Sequence, residues 1–383
     1  MVSRAERTQF AGWWWTVDRW LLAVFAIVSM LGVIFLMAAS PAVAERLGRP
    51  TFFFVDHQVM LLVPAAILMV ATSFLTPRDI RRAALIVYVG GMVLVVCTLF
   101  FAVEIQGAKR WLWGIQPSEF VKPAFEVVAA WAFSEGAKRR DVPANILAML
   151  LLPVTIVPLI LEPDFGQTML ITLVWAVLFF MAGLHWFWVG GIGGVGALGV
   201  LIAYRFDDHI HARIQQFLYP NTATKSGLLD RFQIDTGHDA MVSGGWLGLG
   251  PGEGVVKRYL PDAHTDMIPS VIVEEFGFVA LIVVVLLFGF IVLRGLYLSS
   301  KNEDPFCRFA IAGLTLQFGI QSAINIAVNL QLMPAKGMTL PFISYGGSSL
   351  LSLGLSAGFL IALTRRRPRS EIHSGISAHG GNV

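Results

Sequence analysis

Charge is scarce in this sequence: Asp, Glu, Lys and Arg make up only 14% of its 383 residues, against about 25% in soluble globular domains. The deficit is uneven. Uncharged apolar runs of about 20 residues recur along the chain, the length that crosses about 30 Å of hydrocarbon. With 56% hydrophobic residues and a mean hydropathy of +0.70, this pattern excludes a soluble enzyme, a nucleic-acid binder and a small secreted module. The net charge of +3 does not imply nucleic acid, because the basic residues lie between the apolar runs. Cysteine is nearly absent as well. Cys97 and Cys307 sit in or beside apolar segments, which leaves no disulfide framework and no metal-ligand spacing.

What is present reads as an all-α, polytopic membrane protein forming one integral domain over 1–383. Ten spans are expected at 20–39, 57–75, 83–103, 118–133, 143–161, 165–183, 186–204, 267–296, 306–330 and 341–363. The first is too long for a signal-peptide core and lacks a clean cleavage pattern. Ten spans place both termini on one side. With that side cytoplasmic, the inner segments hold most of the 28 Lys and Arg, including Arg78, Arg81, Arg82, Arg139, Arg140 and Arg365–Arg367, as the positive-inside rule requires. The thickly charged stretch 205–265, between spans seven and eight, is then an extracytoplasmic loop, folded as a cap on the outer face. The polar tail from about 370 to 383 reads as disordered.

Trp13, Trp14 and Trp15 read as an interfacial aromatic belt. The glycines of the seventh span, Gly190 to Gly199, allow close helix approach. In the cap, the Gly248-Leu-Gly250-Pro-Gly252-Glu-Gly254 stretch satisfies neither phosphate-loop fingerprint, so a tight irregular loop is the expectation.

Ionisable groups within or bordering spans are costly and mark function by default. Three stretches qualify. In the first, Gly107-Ala-Lys-Arg110-Trp111 precedes Gln116-Pro-Ser-Glu119-Phe-Val-Lys122; Glu119, Lys122 and Glu126 share one helix face. They form either an internal ion pair, a substrate contact, or both. In the second, Pro261-Asp-Ala-His264-Thr265-Asp266 closes the cap. Thr265 or Asp266 could simply cap the next helix, yet a His, a Thr and an Asp exceed what a cap requires. Helical geometry puts Glu274 roughly 80° around from Asp266 and Glu275 nearly opposite it, so Glu274 is the one expected to share a cavity with Asp266. The third, Met333-Pro-Ala-Lys336-Gly-Met-Thr-Leu-Pro341-Phe-Ile-Ser344-Tyr345-Gly-Gly-Ser348-Ser349, is non-helical backbone at a span boundary, tolerated only beside protein or a watery cavity. Lys336 there could pair with a lipid phosphate or a pyrophosphate.

In order and in register, these motifs resemble the SEDS family (shape, elongation, division and sporulation) of bacterial cell-wall polymerases. Gly-Ala-x-Arg-Trp, Gln-Pro-Ser-Glu-x-x-Lys, Ala-His-Thr-Asp and Ser-Tyr-Gly-Gly-Ser-Ser carry the resemblance over nearly the whole chain. Lys336-Gly-Met-Thr-Leu-Pro341 looks like the division branch rather than the elongation branch. After Phe232-Gln233 the chain departs from the family pattern, with Thr236 and Gly237 where a second Gln and a small residue are usual.

The resemblance implies an inverting peptidoglycan glycosyltransferase. It would polymerise lipid II, release undecaprenyl pyrophosphate and act in septal wall synthesis at the bacterial cytoplasmic membrane. Asp266 matches the family's essential Asp, and a positioned carboxylate can take the proton of an attacking sugar hydroxyl. The expected substrate-binding residues are Arg110, Glu119, Lys122, His264, Thr265, Glu274, Lys336 and Ser344. Of these, Arg110, Lys122 and Lys336 are the cations for pyrophosphate, with a divalent cation (Mg or Mn) as a further candidate. No Asp-x-Asp pair occurs, which fits a lipid-linked donor rather than a nucleotide sugar. The expected partners are a class B penicillin-binding protein transpeptidase and other divisome membrane proteins, with no nucleic acid. The alternatives are a lipid II flippase or other carrier, an elongation-type polymerase, and a scaffold for the transpeptidase.

Overall fold

The computed structural model describes residues 9–103, 109–138, 144–183, 228–334 and 337–366, with 190, 191, 194 and 205. These residues are helical apart from turns and loops. In chain order the helices are α1 (Gln9–Thr16), α2 (Arg19–Arg46), α3 (Phe53–Ser73), α4 (Pro77–Phe101), α5 (Pro117–Lys138), α6 (Ala144–Leu161) and α7 (Phe165–Met181). Then follow α8 (Leu228–Gly244), a 3₁₀ turn (Val256–Arg258), α9 (Ile268–Ser300), α10 (Pro305–Asn329) and α11 (Gly347–Leu363).

Helices stand on nine of the ten expected segments, while 186–204 falls almost wholly outside the described residues. By length and composition, α2, α3, α4, α6, α9 and α10 can each cross a membrane, and α7 and α11 are shorter apolar helices. The starts are written locally. Thr76 and Asp79 form a capping box on α4 with Pro77 at its first turn, and Asp18, Asp164 and Asp304 accept amide hydrogen bonds at the starts of α2, α7 and α10. These side chains satisfy amides that a helix start leaves without partners.

α5 runs through the core, with Val121, Ala124, Phe125, Val127 and Phe133 buried, packed against α4, α6, α7, α10 and α11. α3 and α11 lie closest of all: a Cβ at Gly354 would press on the Ala65 carbonyl, and one at Gly358 on Thr72. Small residues bring membrane helices this near.

The bundle ends expected inside meet one another. Asp18 pairs with Arg294 at 2.6 Å, and Arg81 lies 3.9 Å from both Glu135 and Asp304. The two termini of the described chain also touch, since Arg366 N–H donates to Thr16 O at 3.0 Å and Arg365 Nε to Thr16 Oγ1 at 3.0 Å. Trp13 departs from the expected belt. It is buried on α1, donates its indole N–H to Ser73 Oγ at 2.8 Å and stacks on Phe74. Arg19 lies over the rings of Trp14 and Trp15.

The cap region holds α8 and a strap, 245–258, that crosses a break in α9. At Gly277 (φ 83°, ψ 170°) the helix is interrupted, and a Cβ there would collide with the Trp246 carbonyl. The strap takes up the backbone groups the break releases. Leu249 and Gly250 N–H donate to the carbonyls of Glu274 and Glu275 at 2.9 and 3.0 Å, and Phe278 N–H donates to Gly245 O at 3.0 Å. The glycine-rich loop therefore serves the broken helix, with φ of +78°, +110° and +88° at Gly248, Gly250 and Gly252.

Candidate active site

Asp266 ends the turn that leads into α9. Met267 is the N-cap of that helix and makes no side-chain cap, so neither Thr265 nor Asp266 serves as one. The turn is folded on Asp262, whose carbonyl accepts from Thr265 N–H (3.0 Å), Met267 N–H (3.3 Å) and Thr265 Oγ1 (3.2 Å). Arg46 ties the preceding residue pair down through Leu260 O at 2.8 Å.

The second and third motifs are joined by main chain. Tyr345 N–H donates to His264 O at 2.9 Å, and a Cβ on Gly337 would lie 3.5 Å from Asp266 Oδ2. The Asp266 side chain is half-buried. Burial, reinforced by the negative charge of Asp262, pushes its pKa up to about 7 against the opposing pull of the Thr265 hydroxyl and Arg110. A carboxylate poised there can take up and release a proton near neutral pH.

Arg110 anchors the first motif to the turn between α6 and α7. Its guanidinium donates to Glu162 O (3.4 Å) and to Pro163 O, and lies 3.9 Å from Asp164 Oδ1. Asp164 also accepts from Gln116 Nε2 at 3.0 Å and Ser118 Oγ at 3.2 Å. Burial raises the pKa of Asp164, and it lifts that of Glu162 to about 7 while the Thr98 hydroxyl opposes it. Glu162 and Asp164 were not among the expected site residues. Their signal was available: two acidic groups flank Pro163 between apolar runs.

Glu119 and Lys122 form a 2.7 Å ion pair, and both are buried. Gln167 Nε2 donates to Glu119 at 2.6 Å, and Lys122 Nζ donates to Gln321 Oε1 at 3.5 Å. This geometry supports the stitching role for the pair, linking α5, α7 and α10. Glu126, one turn deeper, is fully buried, and neither carboxylate oxygen has a hydrogen-bond partner among the described residues.

Sequence reasoning also passed over a polar ridge on α10: Gln317, Gln321, Asn325 and Asn329, four residues apart and all buried. Spacing of four keeps them on one face. Gln321 Nε2 donates to Thr339 O at 2.9 Å, and Asn325 Nδ2 to Met338 O at 2.5 Å. Asn325 and Asn329 each donate to Asp266 O at 2.9 Å. The ridge is what gathers the three motifs.

The other expected residues are placed as follows. His264 is buried against Phe54 and Tyr345, with ring centroids at 4.2 and 5.5 Å. Burial lowers its pKa to about 4, with Arg46 adding to the shift, so it is neutral. Ser344 shapes its own loop, its Oγ accepting from Leu340 N–H at 2.8 Å and its carbonyl from Gln58 Nε2 at 3.3 Å. Glu274 has a different set of partners from the expected substrate: its two oxygens accept from Val256 N–H (2.7 Å) and Lys257 N–H (2.9 Å). Glu275 holds the Lys257 ammonium and Gly252 N–H. Lys336 lies outside the described residues. No three His, Cys, Asp or Glu side chains gather to hold a metal among the described residues.

The chain is similar to known proteins. The family model of FtsW, RodA and SpoVE, described as cell cycle protein, matches residues 18–368. A probable peptidoglycan glycosyltransferase FtsW of Caulobacter vibrioides is 45% identical over 97% of this chain and 95% of its own length. The protein of the same description from Hydrogenovibrio crunogenus is 32% identical over 96% of each. Among solved structures, a chain of a peptidoglycan synthase complex, reported for the structural coordination of polymerization and crosslinking, superposes with a TM-score of 0.74 at 25% identity, covering 91% of this chain and 97% of that one. The rod shape determining protein RodA of Thermus thermophilus gives 0.66 at 25% identity, covering 91% and 96%.

Proposed function

The chain belongs to the FtsW, RodA and SpoVE family of cell cycle proteins, and from that membership and the site geometry we infer that it is a multi-pass membrane peptidoglycan glycosyltransferase of the division type. Its substrate is lipid II and its products are a longer glycan strand and undecaprenyl pyrophosphate. The observation that carries the mechanism is Asp266, its carbonyl held by two side-chain amides and its carboxylate half-buried beside Gly337, with a pKa raised to about 7.

Asp266 removes the proton from the acceptor sugar hydroxyl as that oxygen attacks the anomeric carbon of the donor. The bond to pyrophosphate breaks with inversion. Arg110, within electrostatic reach of Asp266, and Lys336, next to Gly337 in sequence, stabilise the charge that develops on the leaving group. Thr265 and His264 shape the floor beneath the acceptor. Magnesium or manganese would arrive as counter-ion of the pyrophosphate, and chelation during turnover tests that.

Ten spans, an outer cap over 205–265 and both termini in the cytoplasm complete the proposed topology. The meeting of Thr16 with Arg365 and Arg366 supports an even number of crossings. A class B penicillin-binding protein is the proposed partner at the septum, in line with the polymerization and crosslinking named for the matching complex.

The test is direct. The full chain, purified with a class B penicillin-binding protein of its own organism, is given labelled lipid II and the products are sized. Glycan chains are expected from the native protein and none from Asp266→Asn with an unchanged melting temperature. Movement of lipid II across vesicles without polymer would instead favour the carrier reading.

A further inference from the structure

The Asp266 carbonyl is unusually well held. A carbonyl oxygen has two lone pairs, and here both are occupied, by the amide groups of Asn325 and Asn329 at 2.9 Å each. Each amide carries two hydrogens, and both pairs are fully used. The second hydrogen of Asn325 goes to Met338 O at 2.5 Å, and that of Asn329 to Asn325 O at 2.9 Å. Ser270, in the first turn of α9, then donates to Asn329 Oδ1 at 2.9 Å. Both asparagines are buried, at 3% and 1% exposure, where leaving such groups unpaired costs roughly 1–3 kcal/mol each. Both bond main-chain carbonyls rather than the Asp266 carboxylate.

We propose that Asn325 and Asn329 are positioning residues for glycosyl transfer, a two-amide clamp that fixes the main chain of Asp266 and locks it in register with the loop at 337–340. The inference rests on the reading of Asp266 as the base. A clamp on the main chain sets where the carboxylate points while leaving its oxygens open to substrate. It also ties the base to the loop beside Lys336, so that proton removal and leaving-group stabilisation share one rigid support. A misplacement of 1 Å can cost about 100-fold in rate.

The experiment compares Asn325→Ala, Asn329→Ala and their combination in the same purified complex, with lipid II as substrate. Each single variant leaves one amide on the carbonyl and is expected to lower kcat about tenfold. The double is expected to lower it about 100-fold, with KM within about twofold of native. Releasing the turn exposes the carboxylate to water, so the acidic limb of the pH–rate profile should move to lower pH. Ser322→Ala, on the same helix but off the ridge and bonded to Phe318 O of its own helix at 2.7 Å, should match the native rate. In an Asp266→Asn background the clamp substitutions should change neither residual rate nor lipid II binding, since they act through Asp266.

A native kcat in the double variant, or a further loss of lipid II binding in the Asp266→Asn background, would overturn the clamp. If the double variant fails to accumulate, the two single variants carry the same comparison. An active Asp266→Asn removes the reading of the base and the clamp with it. An inactive Asp266→Asn beside a fully active clamp variant removes the clamp alone.

Discussion

A carboxylate acts as a base only when it has lost its own proton, so a pKa near 7 at Asp266 should make the proposed reaction sensitive to pH where most carboxylates are indifferent. The rate limited by Asp266 should fall on the acid side of about pH 7, by about tenfold for each unit below it. His264, whose pKa is lowered to about 4, contributes nothing to that limb. Asp262→Asn removes the negative neighbour that helps raise Asp266, and the midpoint should move to lower pH in the same assay. The Glu119–Lys122 pair answers to a different measurement. Glu119→Gln strands a buried ammonium and should cost about 3–5 kcal/mol of stability, whereas an apolar replacement of both partners should recover most of it; thermal unfolding in detergent distinguishes them. Asp266, Glu119 and Lys122 stood out in the sequence because charge within or bordering an apolar span is conspicuous. Asn325 and Asn329 were not, because an uncharged amide barely alters hydropathy and its value lies in partners 59 and 63 residues away. Glu274 misled for the same reason, since helix angles do not reveal that the amides of Val256 and Lys257 reach it first.

Helix positions followed closely from apolar runs and capping residues, as at Thr76-Pro77 and Asp304-Pro305. The break in α9 did not, because Gly277 follows Glu274-Glu275-Phe276 inside a continuous helical pattern and a lone glycine there reads as ordinary. The 33 residues of α9 would extend about 50 Å against about 30 Å of hydrocarbon. Residues 278–300 alone, at about 34 Å, suffice to cross, and 268–276 form a short half-helix that carries Glu274 and Glu275 on the Asp266 side of the break. Gly277→Ala should be severe, since its φ of 83° alone costs about 1–3 kcal/mol for a non-glycine residue and its methyl would meet the Trp246 carbonyl. Gly289→Ala on the same helix, where nothing lies within 4 Å, should be neutral or stabilising by up to about 1 kcal/mol. Unfolding midpoints of the two variants give the comparison.

At the scale of the whole molecule, the two ends of the bundle differ in kind. One is closed by ion pairs and by contact between the chain ends; the other holds the three motifs. With the first end cytoplasmic, a cysteine at the exposed Tyr259 should react with a membrane-impermeant maleimide in intact cells, and one at Phe10 only after lysis, both in a chain free of Cys97 and Cys307. The reverse pattern would invert the proposed orientation. The sequence reached this topology through charge bias alone. How the strap and half-helix fit together could not be read from it, because that fit depends on backbone groups, which every residue shares. The strap has one more consequence. The strap bonds both sides of the break, Leu249 and Gly250 N–H reaching the carbonyls of Glu274 and Glu275 before it and Phe278 N–H reaching Gly245 O after it, so opening on one side loosens the hold on the other. In hydrogen–deuterium exchange these amides should lose protection at a single common rate, as one cooperative unit.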